Sequence, residues 1–253
     1  MPWLYAPQRF FINGGVLEQH RGRGIGQTLY DHLLRCIREE YDGNEIHTWT
    51  TENRPFSIRF LEKRGFVEKM RNWESRLDTT NFDFSRYEGI EDKAAASGVQ
   101  IKSLAELLEE DPDALRKLYD LEWVLVQDVP TTRESTKVPF EEWVERYGEK
   151  NKGYMPEGNF IAIAPDGEYI GISALWRSQS NDMLYTGLTG VKREWRRKSI
   201  ARAMKIRAIR LAKDMGNRTI CTWNEQNNPM YLLNVELGFI AQPAEILYIN
   251  ELE

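Results

Sequence analysis

Two stretches of the sequence decide the fold: residues 15–26 read GVLEQHRGRGIG, and residues 190–201 read GVKREWRRKSIA. Both contain a Gly-Val pair, an arginine five residues after the valine, and an isoleucine followed by a small residue. Further landmarks follow in the same order in each half: Ile46-His47-Thr48-Trp49 and Gly65-Phe66 in one, Ile220-Cys221-Thr222-Trp223 and Gly238-Phe239 in the other. Such agreement predicts a tandem duplication.

Each copy predicts the order strand, loop, helix, strand, helix, strand. Apolar residues at helical spacing predict the first helix of each copy, and Gly43 and Gly216 are predicted to end these helices in the left-handed conformation. The predicted strands start at Phe10 and Met183. The helices are predicted over residues 25–40 and 200–214, and the strands that follow them over 46–50 and 219–223.

Only the second copy has further predicted elements upstream of the strand with which the shared pattern begins. Residues 111–123 and 140–147 predict two helices, and residues 160–175 predict a β-hairpin. Without a counterpart, the first copy would leave a strand edge open, so it borrows strands from its neighbour or from another chain, or sequence upstream of it is missing. This edge is compatible with a homodimer. We predict a partial unit at 1–80, a polar linker at 81–97 and a complete unit at 98–253.

The first loop has the composition of a phosphate-binding turn. Gly22 and Gly24 allow the backbone to bend so that successive N–H groups converge, and the helix start adds unpaired donors. A diphosphate would fit there. Arg21 and Arg23 would add charge-assisted contacts, or are solvated surface arginines. The alternative for the whole loop is a tight turn without a ligand.

Two common phosphate-binding motifs do not match this loop. The spacing Gly-x-Gly-x-Gly is not the dinucleotide fingerprint, and no acidic residue ends the next strand where a ribose would need one. No Gly-Lys-Ser/Thr follows, so a nucleoside-triphosphatase loop is excluded as well.

Taken together, these residues resemble the GCN5-related N-acetyltransferase (GNAT) family, in which an Arg/Gln-x-x-Gly-x-Gly/Ala loop binds acetyl-coenzyme A. The resemblance implies a mixed α/β fold with an α+β mixed sheet, that is, a tandem acyl-CoA N-acyltransferase (GNAT) fold whose first copy is truncated at its N-terminal half. By position it implies these cofactor-binding residues: Val16, Arg21, Gly22, Arg23, Gly24, Ile25, Gly26, Thr189, Val191, Arg196, Arg197, Lys198, Ser199, Ile200, Ala201 and Asn227.

The family also implies a reaction. A backbone N–H near Val16 or Val191 would polarise the acetyl carbonyl, and a neutral amine of a small molecule or peptide would attack it directly in a ternary complex. The second unit would catalyse, because it alone has helices that could wall an acceptor cleft. The alternative is a non-catalytic acyl-CoA sensor or scaffold with degenerate sites.

Departures from the family pattern motivate that alternative. Ser199 replaces a loop glycine, and a left-handed backbone there would cost about 1–3 kcal/mol. The tyrosine that usually protonates the leaving thiolate is Leu61 in one copy and Asn234 in the other. Tyr231, three residues before Asn234, is the candidate catalytic donor, with packing as its alternative role.

Composition excludes other classes of function. The formal net charge of −5 provides no basic field for nucleic acid or an anionic membrane. No apolar run suits a membrane span or a signal peptide, and the two isolated cysteines indicate neither a disulfide framework nor a zinc site, so a cytoplasmic protein is expected. The spacing of the three histidines predicts no metal site.

Overall fold

The computed structural model describes residues 8–130, 136–148 and 150–252. Two compact units are present. The first unit comprises the chain up to Trp73 together with Pro243–Glu253, and the second unit is Glu74–Gln242. This division differs from the predicted boundaries at both ends. The C-terminal segment belongs to the first unit, and the predicted linker belongs to the second.

Among the described residues, the first unit contains four strands, in the order β1–β2–β10–β3. β1 runs parallel to β2, and β10 is antiparallel to both β2 and β3. The partial unit therefore takes a strand from the far end of the chain, although this strand lies inside the sheet and not at the truncated edge. The elements are β1 (Arg9–Phe11), α1 (Ile25–Glu39), β2 (Glu45–Thr51), α2 (Pro55–Glu62), β3 (Val67–Asp78) and β10 (Glu245–Glu251).

One face of this sheet packs against α1. Tyr30 and Ile37 on the helix bury against Ile46, Phe66 and Ile246. This is the packing that the helical spacing of apolar residues predicts.

The end of α1 differs from the prediction. The residue in the left-handed region is Asp42 at φ 49°, and Gly43 is not among the glycines with positive φ. Gly43 is needed for space instead, because a Cβ there would lie 2.6 Å from Cε2 of Phe10. In the second unit, Gly216 does adopt φ 79°.

The sheet of the second unit has the order β8–β7–β6–β5–β4, and β9 pairs with Ser75 and Arg76, in the part of β3 that belongs to this unit. The pairs β4–β5, β5–β6 and β6–β7 are antiparallel, whereas β7 and β8 are parallel. Its further elements are α3 (Ile90–Ala95), β4 (Gln100–Ser103), α4 (Leu104–Glu110), α5 (Ala114–Val126), α6 (Phe140–Val144), β5 (Asn159–Ile163), β6 (Tyr169–Arg177), β7 (Leu184–Val191), α7 (Ile200–Asp214), β8 (Thr219–Glu225), α8 (Pro229–Glu236) and β9 (Ile240–Ala241).

Helices cover both faces of this sheet. The apolar side of α7 packs on one face, and α4, α5 and α6 pack on the other. The predicted linker is folded: Phe82, Ile90 and Ala94 are buried beside α7. Its polar residues face outward, and Glu91 accepts a hydrogen bond from Nε of Arg207 at 2.7 Å.

Candidate active site

In the second unit, two parallel strands part from one another. β7 and β8 pair only at Leu184 with Ile220 and at Tyr185 with Cys221, although β7 continues to Val191. On its other side β7 stays paired with β6 up to Val191, past a register shift between Ser173 and Leu175. The side of β7 that faces the gap therefore presents backbone groups without a strand partner among the described residues, and an extended ligand could use them.

The first unit repeats this separation. β1 pairs with β2 at three positions, and the N–H of Ile12 adds one more bond, to the carbonyl of His47 at 3.0 Å. The chain then leaves β2, which continues to Thr51 with β10 on its other side. Both units thus open a slot beside the second of two parallel strands.

A left-handed turn follows the slot in the first unit. Gly22 and Gly24 have φ values of 75° and 80°, and α1 begins directly after Gly24. The amides of Gly22, Arg23 and Gly24 have no backbone acceptor among the described residues. These amides and the first turn of α1 form the kind of concave donor set that binds phosphate groups.

The second unit keeps this turn without glycine. Arg197 and Ser199 occupy the two left-handed positions, at φ 62° and 63°. The left-handed backbone at Ser199 was expected from its place in the motif. The left-handed backbone at Arg197 was not. Each costs about 1–3 kcal/mol relative to an ordinary conformation. The second unit therefore has the same two left-handed positions as the first, at a higher conformational cost.

The first arginine of each loop is bound to the preceding strand region. Nε of Arg21 donates to the carbonyl oxygen of Val16, and Nε of Arg196 donates to that of Val191, both at 3.0 Å. These side chains therefore fix the loop. Arg23 and Lys198 are exposed, and the ammonium of Lys198 lies 4.3 Å from the ring centre of Trp195.

The apolar members of the predicted set support the loop by packing. Ile200 and Val191 are buried in the core of the second unit, whereas Ile25 is exposed. A Cβ on Gly26 would touch the ring of Phe60 at 3.5 Å, so α1 packs closely there. The remaining members, Val16, Thr189 and Ala201, are half-buried.

The position of the family's tyrosine carries no acid. Asn234 is 1% exposed, and its Nδ2 donates to Oδ1 of Asn224 at 2.7 Å. Its own Oδ1 is buried without a partner. Leu61, the corresponding residue of the first unit, is part of the core. Tyr231 lies half-buried on α8, one turn before Asn234.

Asn227 is held next to the end of β8. Its N–H donates to Oε2 of Glu225 at 2.7 Å, and its Nδ2 donates to Oε1 at 3.0 Å. Glu225 is buried. The contact orients the turn into α8, and it engages both carboxylate oxygens of Glu225.

Two features of the second unit were not predicted. Trp223 is 42% exposed and stacks on Tyr185 with 5.0 Å between ring centres. Lys205 on α7 is 3% exposed, and burial lowers its pKa to about 7. The position of Lys205, one turn after Ala201 and one before Ile209, is the sequence signal that could have revealed its burial.

Among residues 8–130, 136–148 and 150–252, no group of three or more potential ligands could hold a metal ion. Over the same residues, no helix has the length and hydrophobicity needed to cross a bilayer.

Comparisons with known proteins agree with this geometry. The sequence profile of the Acetyltransferase (GNAT) family matches residues 7–66 and 113–239. Similar solved structures include a GCN5-related N-acetyltransferase from Sphaerobacter thermophilus, with 17% identity, a TM-score of 0.70 and coverage of 96% of this chain and 73% of that one. A tandem GNAT protein from the clavulanic acid biosynthesis pathway has 16% identity and a TM-score of 0.66, with coverage of 96% and 75%.

These structural likenesses concern the fold, because the identities are low. A comparison with curated protein sequences finds no match. The profile matches cover both copies of the loop and most of the chain. The chain therefore belongs to the acetyltransferase (GNAT) family, as a tandem GNAT protein.

Proposed function

We propose that the second unit is an acetyl-CoA-dependent N-acetyltransferase that transfers acetyl to a primary amine of a small molecule or peptide. The observation that carries this proposal is the separation of β7 from β8 after Tyr185, directly ahead of the left-handed loop. The helices α5 and α6, which pack on this sheet, would form a wall for the acceptor.

The residues present suit the coenzyme. The amides of Arg197, Lys198 and Ser199 and the first turn of α7 would hold its diphosphate. The backbone of Thr189 and Val191, on the open side of β7, would bind its extended arm and polarise the acyl carbonyl. When bound, acetyl-CoA supplies an acyl group activated as a thioester.

Proton transfer must use groups other than the usual tyrosine. The acceptor amine has to be neutral to attack, and the leaving thiolate needs a proton. Asn234 has no acidic proton to give. We assign thiolate protonation to Tyr231 and deprotonation of the amine to water.

For the first unit we propose coenzyme binding without catalysis. Its loop has glycine at both left-handed positions, so the shape costs less than in the second unit. Among residues 8–73, no helix pair corresponds to α5 and α6. A cytoplasmic location is part of the proposal, supported by Cys36 and Cys221, which are both free thiols.

A non-catalytic acyl-CoA sensor is the second candidate, favoured by the absence of an acid at Leu61 and Asn234. Both candidates predict coenzyme binding, but only an acetyltransferase releases thiol. The test is incubation with acetyl-CoA and a panel of primary amines, with free thiol as the readout. Amine-dependent release supports the transferase. Coenzyme binding without release across the panel supports the sensor.

A further inference from the structure

The coenzyme loop of the second unit is connected to α5 by an ion-pair cluster. Asp128, two residues beyond the last residue of α5, accepts hydrogen bonds from Nε of Arg193 at 3.0 and 3.3 Å. It also pairs with the terminal nitrogens of Arg193 and Arg196. One carboxylate thus engages two guanidinium groups, and the hydrogen bonds from Arg193 lower the pKa of Asp128 below its usual value.

Both arginines lie between the slot and the loop. Arg193 begins a short 3₁₀ turn directly after β7, and Arg196 follows that turn at the start of the loop. Arg196 bonds at the same time to the carbonyl of Val191 through Nε and to Asp128 through Nη2. The contacts form a chain from α5 through Asp128 and Arg196 to the end of β7.

The first unit is an internal control for this arrangement. Arg21 makes the same bond to Val16, so the arginine-to-strand contact does not require an aspartate. The residue at the place of Arg193 is Glu18, which would repel an aspartate. The cluster is therefore a feature of the unit that also has α5 and α6, and of the loop whose left-handed positions lack glycine.

We infer that Asp128 is a positioning residue for the coenzyme site of the second unit: it holds Arg193 and Arg196 so that the loop keeps its left-handed, donor-convergent shape. This inference rests on the proposed function. Without the carboxylate, the two neighbouring guanidiniums repel each other and Arg196 loses one of its two anchors. The loop would then spend part of its time in conformations that do not bind a diphosphate, and the apparent affinity would fall by that fraction.

The test is calorimetric titration with coenzyme A in a Gly24→Val background, which disables the loop of the first unit through its positive φ. Asp128→Asn should raise the dissociation constant about tenfold, as for loss of a charge-assisted contact. Asp128→Glu should restore most of the affinity. Asp120→Asn is the matched control, since Asp120, on α5, pairs with Lys137 at 3.0 Å and not with the loop.

A second measurement separates positioning from general stability. Asp128→Asn should raise KM for acetyl-CoA while kcat at saturation and the free energy of unfolding stay near those of Asp120→Asn. Equal dissociation constants for Asp128→Asn and Asp120→Asn would overturn the inference. If the Gly24→Val background itself binds no coenzyme, the proposed function of the second unit fails first, which is a distinguishable outcome.

Discussion

Nε of Arg196 donates to the carbonyl oxygen of Val191 across 3.0 Å, tying the loop of residues 196–201 in the second unit to the end of β7. The first unit repeats the bond between Arg21 and Val16 at the same distance. The two loops therefore share one architecture, although glycine occupies the left-handed positions in only one of them. This difference predicts opposite responses to substitution.

Ser199→Gly should stabilise the protein. Replacing the left-handed serine with glycine removes about 1–2 kcal/mol of backbone strain. Glycine also gives the unfolded chain more conformational entropy, which offsets about half of this gain. The free energy of unfolding should therefore rise by about 0.5–1 kcal/mol. Denaturant titration measures this change. Ser57→Gly, within α2, is the control and should lower the stability by about 0.5–1 kcal/mol. Destabilisation by both substitutions would contradict the account.

Gly24→Ala should have the reverse effect in the first unit. Among the described residues, no atom outside Gly24 and its two chain neighbours lies within 4 Å of the added Cβ, so any loss comes from the backbone at φ 80° and not from a clash. We expect a loss of about 1 kcal/mol in stability, together with weaker coenzyme binding. Gly26→Ala, at a position without positive φ, should change stability much less. The two variants are compared by denaturant titration, and an equal loss in both would refute the role of backbone conformation.

Lys205→Met should change how stability depends on pH. The pKa of Lys205 is about 7 in the folded protein and 10.5 when exposed, so its charge favours the unfolded chain. The resulting destabilisation is largest below pH 7, shrinks as the pH rises and vanishes above 10.5. The substitution should add on the order of 2–4 kcal/mol at neutral pH and much less at alkaline pH.

The control for this prediction is Lys213→Met, at an exposed position on the same helix. It should leave the pH dependence of the wild type unchanged. Unfolding curves of both variants at neutral and alkaline pH make the comparison. If Lys205→Met and Lys213→Met gave the same pH profile, the lowering of the Lys205 pKa by burial would be disproved.

Tyr231→Phe should lower kcat at saturating substrates by about 100-fold or more if Tyr231 protonates the leaving thiolate. Its fold and coenzyme affinity should remain unchanged. Tyr87→Phe is the control. The hydroxyl of Tyr87 donates to the carbonyl oxygen of Glu236 at 2.9 Å, and Glu236 lies on α8, the helix that carries Tyr231. Steady-state kinetics of thiol release distinguishes them. A kcat for Tyr231→Phe equal to that of Tyr87→Phe would remove Tyr231 from the mechanism.

Much of the local structure could be predicted from the sequence, because local patterns determine it. The loop positions and the helices that start at Ile25 and Ile200 follow from motif spacing and apolar periodicity. The partners of β10 could not be predicted, since strand propensity does not specify which sheet a strand joins. The folded state of residues 81–97 was hidden for a similar reason: only a few apolar residues, such as Phe82 and Ile90, are needed to dock a polar segment.

The candidate site was predictable where the backbone defines it and unpredictable where side chains meet. The left-handed turn at Ser199 follows from its alignment with Gly24. The Asp128 cluster joins residues far apart in the sequence, and a lone aspartate after a helix gives no signal of its partners. The exposed stack of Trp223 on Tyr185 likewise depends on how β7 and β8 separate.

The most direct test of the central claim compares Arg21→Gln with Arg196→Gln in the thiol-release assay with acetyl-CoA and an accepted amine. Each substitution removes the bond between a loop and its strand in one unit only. We expect Arg196→Gln to lose most turnover, and Arg21→Gln to retain turnover and lose only coenzyme binding at the first loop. Equal loss of turnover in both variants, or loss in Arg21→Gln alone, would contradict the assignment of catalysis to the second unit.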